Sequence, residues 1–235
     1  MRTVSRVGPP LLSGPARTRA AGLLVSLGAV VVVLGALSFH QSRPGSLDRA
    51  VDGAVISAYG SHLGVAAWLA APGAGLPAAV CTAVIALACL ATGRANGALL
   101  AVAAVCLSVG VVELVLKPLV ARTYDGFLCF PSGHATAAFA LAGTVTVLVN
   151  PSRTNPSRMH ASQRVRARWA LAAIAASVGL ACVVACAVIA LRWHYFTDTV
   201  AGAAVGIGTV TGLALVLDTP RVRSLLARAS TRHTA

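Results

Sequence analysis

The sequence predicts an all-α, polytopic membrane protein built as a bundle of six transmembrane helices. Three observations carry that expectation. Hydrophobic residues make up 57% of the 235 positions and charged residues only 11%, a balance that excludes both a water-soluble globule and a disordered chain. Apolar runs recur at lengths near the roughly 20 residues needed to cross about 30 Å of hydrocarbon. The runs are rich in Ala, Val, Leu and Gly, the small-residue mixture that lets membrane helices approach closely.

Taken in order, the spans are expected at about 20–39, 64–92, 97–120, 133–149, 168–190 and 196–217. The first has an apolar core longer than the roughly 7–15 residues of a signal peptide and no small-x-small cleavage pattern before a soluble domain, so it reads as a retained anchor. The segment 47–60 places Leu47, Val51, Val55 and Ile56 at helical period, suited to lying on the membrane surface. Pro72, Gly73, Gly75 and Pro77 interrupt the second span. Its membrane helix is therefore expected at about 76–92, after a bent or interfacial entry. Between the fourth and fifth spans, 150–167 is rich in Asn, Pro, Ser and Arg, a flexible basic loop suited to anionic lipid. Cys81, Cys89, Cys106, Cys182 and Cys186 fall inside apolar runs, where Cys behaves as a small hydrophobe; only Cys129 is expected in a loop, with no obvious partner. The domain division is a basic cytoplasmic tail over 1–19, the membrane domain over 20–217 and a second basic cytoplasmic tail over 218–235.

Charge fixes the expected topology. The net charge of +13 arises from nineteen basic and six acidic residues. In a soluble protein this would suggest nucleic acid, but position decides against that partner. Fourteen basic residues fall in four places: Arg2, Arg6, Arg17 and Arg19; Arg94; Arg153, Arg158, Arg164, Arg166 and Arg168; and Arg221, Arg223, Arg228 and Arg232. An even number of crossings puts all four on one side, as the positive-inside rule requires. The expected location is thus the cell (plasma) membrane, with both termini cytoplasmic. Arg43, Arg49, Lys117, Arg122 and Arg192 remain; Lys117 is the only lysine.

That topology gathers the chemistry at the extracytoplasmic face, where the candidate active site is expected. Three polar clusters stand at outer span ends, where an ionisable group is costly unless it is used or paired. They are Lys117 to Arg122, Phe130-Pro131-Ser132-Gly133-His134, and Arg192-Trp193-His194-Tyr195-Phe196-Thr197-Asp198. Ser132 can cap the fourth helix and Gly133 lets its backbone approach a ligand, so the first-turn amides can receive an anion such as phosphate. His194 and Asp198, four apart on a helix, share a face. Asp198 can hold one imidazole nitrogen and leave the other basic, the arrangement of an oriented nucleophile or base. His134 lacks a carboxylate in its own segment and is placed to give a proton to a leaving group. Lys117, one turn from Glu113, reads as a held cation. Trp193, Tyr195 and Phe196 read as an interfacial aromatic belt, and Asp48 and Asp52 as a solvated face. Asp125 near a phosphate pocket repels the substrate unless Arg122 pairs with it.

On Pro131-Ser132-Gly133-His134 and on His194-x-x-x-Asp198 followed by Val200 and Gly202, the chain resembles the type 2 phosphatidic acid phosphatase and vanadium haloperoxidase superfamily, in its integral-membrane lipid phosphatase branch. The resemblance covers about 20–217. It implies phosphate ester hydrolysis through a phosphohistidine intermediate without a metal or other cofactor. His194 matches the family nucleophile, Asp198 its orienting carboxylate, His134 the general acid, and Ser132, Gly133 and Lys117 the phosphate cradle. Two positions depart from the pattern. The family arginine seven residues after the lysine is Tyr124 here, with Asp125 in place of the following proline, and Arg122 is the nearest substitute. The arginine six before the nucleophile is Val188 here, with Arg192 standing one helical turn further on.

The leading expectation is a phosphatase acting on a membrane lipid phosphate or diphosphate, an isoprenoid diphosphate favoured, with phosphatidic acid and phosphatidylglycerol phosphate as alternatives. The partners are then the lipid substrate and membrane lipids; no protein partner is indicated. From other classes, a lipid flippase or small transporter would bind the anionic headgroup without cleaving it, and a vanadium-dependent oxidase would share the cradle.

Overall fold

Ala-, Val- and Leu-rich runs with few polar interruptions satisfy their backbone groups internally by coiling into helices, and the computed structural model shows the result over residues 8–149 and 161–232. The helices are α1 (Gly14–Ser38), α2 (Ser46–Tyr59), α3 (Leu63–Ala70), α4 (Gly75–Ala91), α5 (Ala95–Val111), α6 (Lys117–Val120), α7 (Gly133–Val149), α8 (Ala161–Ala190), α9 (Phe196–Leu217) and α10 (Pro220–Arg232). A short hairpin of β1 (Thr123–Tyr124) and β2 (Phe127–Leu128) interrupts them. Arg2, Arg6, Arg153 and Arg158, and most of the expected loop 150–167, lie outside the described residues.

Several boundaries differ from expectation for local reasons. A 3-10 turn over Ala71–Gly73, carrying Pro72, splits the second span into α3 and α4. The third span passes through a π turn at Val112–Leu116, where the Lys117 N–H reaches back to the Val112 carbonyl. Pro118 follows immediately; its ring excludes the regular i−4 bond, and a widened turn ahead of it relieves the clash. Among the described residues four helices are long and apolar enough to cross a membrane, five if α2 and the α3 turn, bent by 112°, are one broken span. Helices α4 and α7 have 17 residues each, short of the roughly 20 of a full crossing.

The bundle's tightest crossing is α7 on α9. A Cβ on Gly202 would lie 2.5 Å from the Ser132 carbonyl oxygen, and one on Gly206 2.5 Å from that of Thr136. Two glycines four residues apart on one face thus let the backbones meet. Below that crossing Leu100, Ala104, Ala140, Val210 and Ala214 form the main apolar core. Outward surfaces carry Val25, Leu76, Leu114 and Trp169, all exposed, as expected of side chains that face lipid.

The two ends of the bundle differ in chemistry. At one, Asp218 accepts the Leu11 and Leu12 N–H groups at 2.8 and 2.6 Å, Asn96 donates to the Pro9 carbonyl, and Arg94 to that of Leu148. Arg17 also belongs here, through the Asp218 carbonyl. At the other end, the His40 N–H donates to Val120 and the Thr123 N–H to Gln41. This links the end of α1 to the loop that carries Arg122.

Candidate active site

The start of α9 leaves backbone N–H groups without helical partners, and carboxylates from another helix receive them. Asp52 Oδ1 accepts the Phe196 N–H at 3.0 Å and Asp48 Oδ1 that of Thr197 at 2.9 Å. Asp198 Oδ2 takes the Tyr195 N–H at 2.9 Å. Two of the three carboxylates also hold one cation. Arg122, 2% exposed, donates to Asp198 Oδ1 and Asp48 Oδ2, both at 2.6 Å, and to Thr197 Oγ1 at 2.7 Å. Its guanidinium also lies 4.3 Å from the centre of the Tyr195 ring. Burial pushes the Asp48 carboxyl up, but the bonds from Arg122 and Thr197 prevail and hold it below its ordinary value. Asp52 does not touch Arg122. Burial, reinforced by the charges of Asp48 and Asp198, raises it to about 6 against the Phe196 bond.

The hairpin joins this cluster to the first histidine. Thr123 pairs with Leu128 and Tyr124 with Phe127, while Asp125 and Gly126, both at positive φ, make the two-residue turn. The next rung is the Cys129 N–H on the Arg122 carbonyl at 2.9 Å. Arg122 and Cys129 therefore stand side by side at the base of one ladder. The Arg122 side chain grips Asp198, and the Cys129 carbonyl lies 2.8 Å from His194 Nδ1. A carbonyl only accepts, so Nδ1 carries the proton and Nε2 keeps its lone pair. Asp198 Oδ2 is 3.8 Å from the same nitrogen, too far for a hydrogen bond. The ring's hydrogen bond is therefore to the Cys129 carbonyl and not to Asp198, whose carboxylate stands close beside it.

The second histidine arrives with α7. Ser132 caps that helix, its Oγ accepting the Ala135 N–H at 3.4 Å, while its own N–H donates to the Asp198 carbonyl. His134 follows within the first turn, and its ring centre is 6.4 Å from that of His194 and 5.5 Å from Trp193. Both rings line a cavity of about 1470 Å³ together with Lys117, Gly133, Arg192, Glu113 and Asp125. From this polar end the cavity runs between α4 and α5 past Ala79, Ala83, Val102 and Cys106. Arg192 reaches it from a turn in which its N–H bonds Ile189 and that of Trp193 bonds Val188. This is a helix stop with Arg192 at φ 59, where glycine is usual.

Of the expected site residues, Lys117, Gly133, His134, Arg192 and His194 meet at one cavity. Ser132, Arg122 and Asp198 stand behind it, fully enclosed. Arg122 does not reach the expected phosphate cradle, because two carboxylates already claim its guanidinium. Nor does it pair with Asp125. Two further expectations are corrected. Asp48 and Asp52 are buried ligands of the α9 terminus rather than a solvated face. The α2 face that packs inward is the one bearing them, while Leu47 is exposed. Tyr195 is buried beneath Arg122 rather than part of an aromatic belt.

An all-helical membrane bundle with two imidazoles, a lysine and an arginine around one cavity defines a class of protein suited to phosphoryl transfer. The comparison with protein families agrees: the PAP2 superfamily matches residues 19–221. The chain belongs to that superfamily, whose members catalyse phosphatase-type reactions on phosphate esters. No curated protein and no solved structure gives a match.

Proposed function

We propose that the chain is a membrane lipid phosphatase that hydrolyses a lipid phosphate or diphosphate, an isoprenoid diphosphate favoured, through a phosphohistidine on His194. The observation that carries this reading is the pair of imidazoles 6.4 Å apart at the polar end of an apolar groove. With Nδ1 tied to the Cys129 carbonyl, Nε2 of His194 attacks phosphorus in line. The P–Nε2 bond forms as the bond to the departing oxygen breaks, and protonated His134 gives its proton to that oxygen. His134 then takes a proton from water, whose oxygen attacks phosphorus and releases inorganic phosphate from Nε2. Lys117, Arg192 and the amides at the start of α7 stabilise the charge on the phosphoryl oxygens.

The groove along α4 and α5 accommodates an apolar tail, which supports a lipid substrate. Two cations reaching the cavity from separate elements suit a headgroup with more than one phosphate, which supports the diphosphate. For topology, the arginine-rich end carrying Arg17 and Arg94 lies opposite the histidines. The positive-inside rule then supports six crossings, with α4 and α7 as short spans, both termini cytoplasmic and the site facing out from the plasma membrane. In this reading α2 lies outside the membrane.

The test is phosphate release by the purified protein in phospholipid vesicles, offered an isoprenoid diphosphate, phosphatidic acid and phosphatidylglycerol phosphate in turn. The isoprenoid diphosphate is expected to turn over fastest, and acid-labile phosphate is expected on the enzyme. Both signals are lost in His194→Ala. Turnover that survives His194→Ala would falsify the scheme.

A further inference from the structure

One carboxylate sits where the substrate's phosphate belongs. Glu113, in the π turn, places its carboxylate oxygens 2.8 and 2.9 Å from Lys117 Nζ. Its Oε1 also lies where a Cβ on Gly133 would come within 2.6 Å, so it rests directly over the first residue of α7. The carboxylate thus stands against Gly133 at the start of α7 and occupies the lysine expected to neutralise phosphate. The side chain is nevertheless 43% exposed, so nothing encloses it there. Charge reinforces the point. The formal charges on the cavity wall are Glu113 and Asp125 against Lys117 and Arg192, and they cancel, since Arg122 is sealed away behind the site. An incoming phosphate meets a lysine already paired and a wall whose carboxylates offset its lysine and arginine, which leaves the proton on His134 as the surplus charge.

Resting on the phosphatase reading, we infer that Glu113 is a tethered stand-in for the substrate's phosphoryl group, which the true substrate displaces. A tethered competitor acts at high effective concentration against every anion, and it discriminates by what else the anion brings. A lipid phosphate buries its tail in the α4–α5 groove and so compensates for displacing the carboxylate. Free phosphate has no tail. Glu113 therefore determines specificity: it disfavours small phosphates, including the reaction's own product, relative to tailed ones. If the carboxylate holds the cradle about nine-tenths of the time, the apparent affinity for a small anion falls about tenfold.

The experiment measures inhibition by inorganic phosphate and by orthovanadate, and the KM of the preferred long-chain lipid, in the full-length protein in vesicles. Glu113→Gln keeps the side chain's size and removes its charge; Glu113→Asp keeps the charge and withdraws it from Gly133. Both variants are expected to lower the inhibition constants for phosphate and vanadate about tenfold, with a smaller fall in the lipid KM. Unchanged constants overturn the inference. So do constants raised in step with the lipid KM, which would make Glu113 a positioning residue for Lys117. If either variant fails to fold, the other alone decides. His194→Ala, assayed alongside, separates the two levels: turnover retained there removes the phosphatase reading itself, whereas turnover lost with inhibition constants unmoved removes only the role of Glu113.

Discussion

Arg122 and Arg192 each stand near a family arginine position but displaced from it, Arg122 by two residues and Arg192 by four, and the fold gives them opposite work. Removing Arg122 leaves Asp48 and Asp198 buried without a counter-charge, a loss of about 3–5 kcal/mol. Arg122→Ala is therefore expected to unfold at markedly lower temperature in detergent, and activity falls because the fold around His194 fails. Arg192→Gly removes a charge from the cavity and places glycine at a left-handed position that suits it. Its melting temperature is expected to hold, while KM rises about tenfold or more, the worth of a charged hydrogen bond to phosphate. Equal thermal losses in both variants would contradict this division. Asp52 adds a pH dependence. Its folded value of about 6 exceeds the ordinary carboxyl value near 4, so the folded state binds this proton more tightly than the unfolded one. The stability from that proton is complete below about pH 4 and is lost as pH rises through 6. Asp52→Asn keeps an acceptor for the Phe196 N–H and carries no charge. It is expected to raise the melting temperature at pH 7–8 and to flatten its decline between pH 4 and 6.

Helices and histidines were readable from the sequence because each leaves a local mark: an apolar run for the helix, a Ser-Gly start for α7, an i,i+4 pair for His194 and Asp198. The span 196–217 coincides with α9, and the interruption at Pro72 and Gly73 marks the break before α4. What joins the site together left no such mark. Asp48 and Asp52 meet the α9 terminus across more than 140 residues, and nothing in their own neighbourhood distinguishes a surface carboxylate from a remote helix cap. The Cys129 carbonyl was invisible in another way, since a backbone acceptor has no residue type. Only Asp125-Gly126, a favoured hairpin turn pair, could have signalled the ladder that positions it. Gly202, noted for its family position, shows its physical role in the crossing on α7. Gly202→Ala drives a Cβ into the Ser132 carbonyl and displaces α7 and His134 from His194. Activity is expected to fall by orders of magnitude, with a destabilisation of about 1–3 kcal/mol from overpacking. Gly212→Ala, whose added Cβ finds ordinary contacts near 3.8 Å on Leu24, is the control and is expected to keep both.

At the scale of the whole molecule, the two ends of the bundle make the proposed orientation testable without any assay of chemistry. The histidine end presents Phe127 at the hairpin tip and Ser61 between α2 and α3, both exposed. The opposite end presents Ser224 on α10, also exposed, among the arginines that anionic cytoplasmic lipid attracts. A membrane-impermeant thiol reagent applied to intact cells is expected to label Ser61→Cys but not Ser224→Cys, and permeabilised cells are expected to label both. Of the exposed native cysteines, Cys81 and Cys182 lie within apolar helices where a polar reagent does not partition, and Cys106, which lines the cavity, is replaced by Ser in the labelled background. The reverse pattern would place the imidazole pair at the cytoplasmic leaflet. The reaction would remain a phosphatase's, but its lipid would then come from the inner leaflet. Labelling of both positions in intact cells would instead require an odd number of crossings. The short helices α4 and α7 decide between these outcomes, because an odd count follows if one of them, with 17 residues, stops short of the far interface.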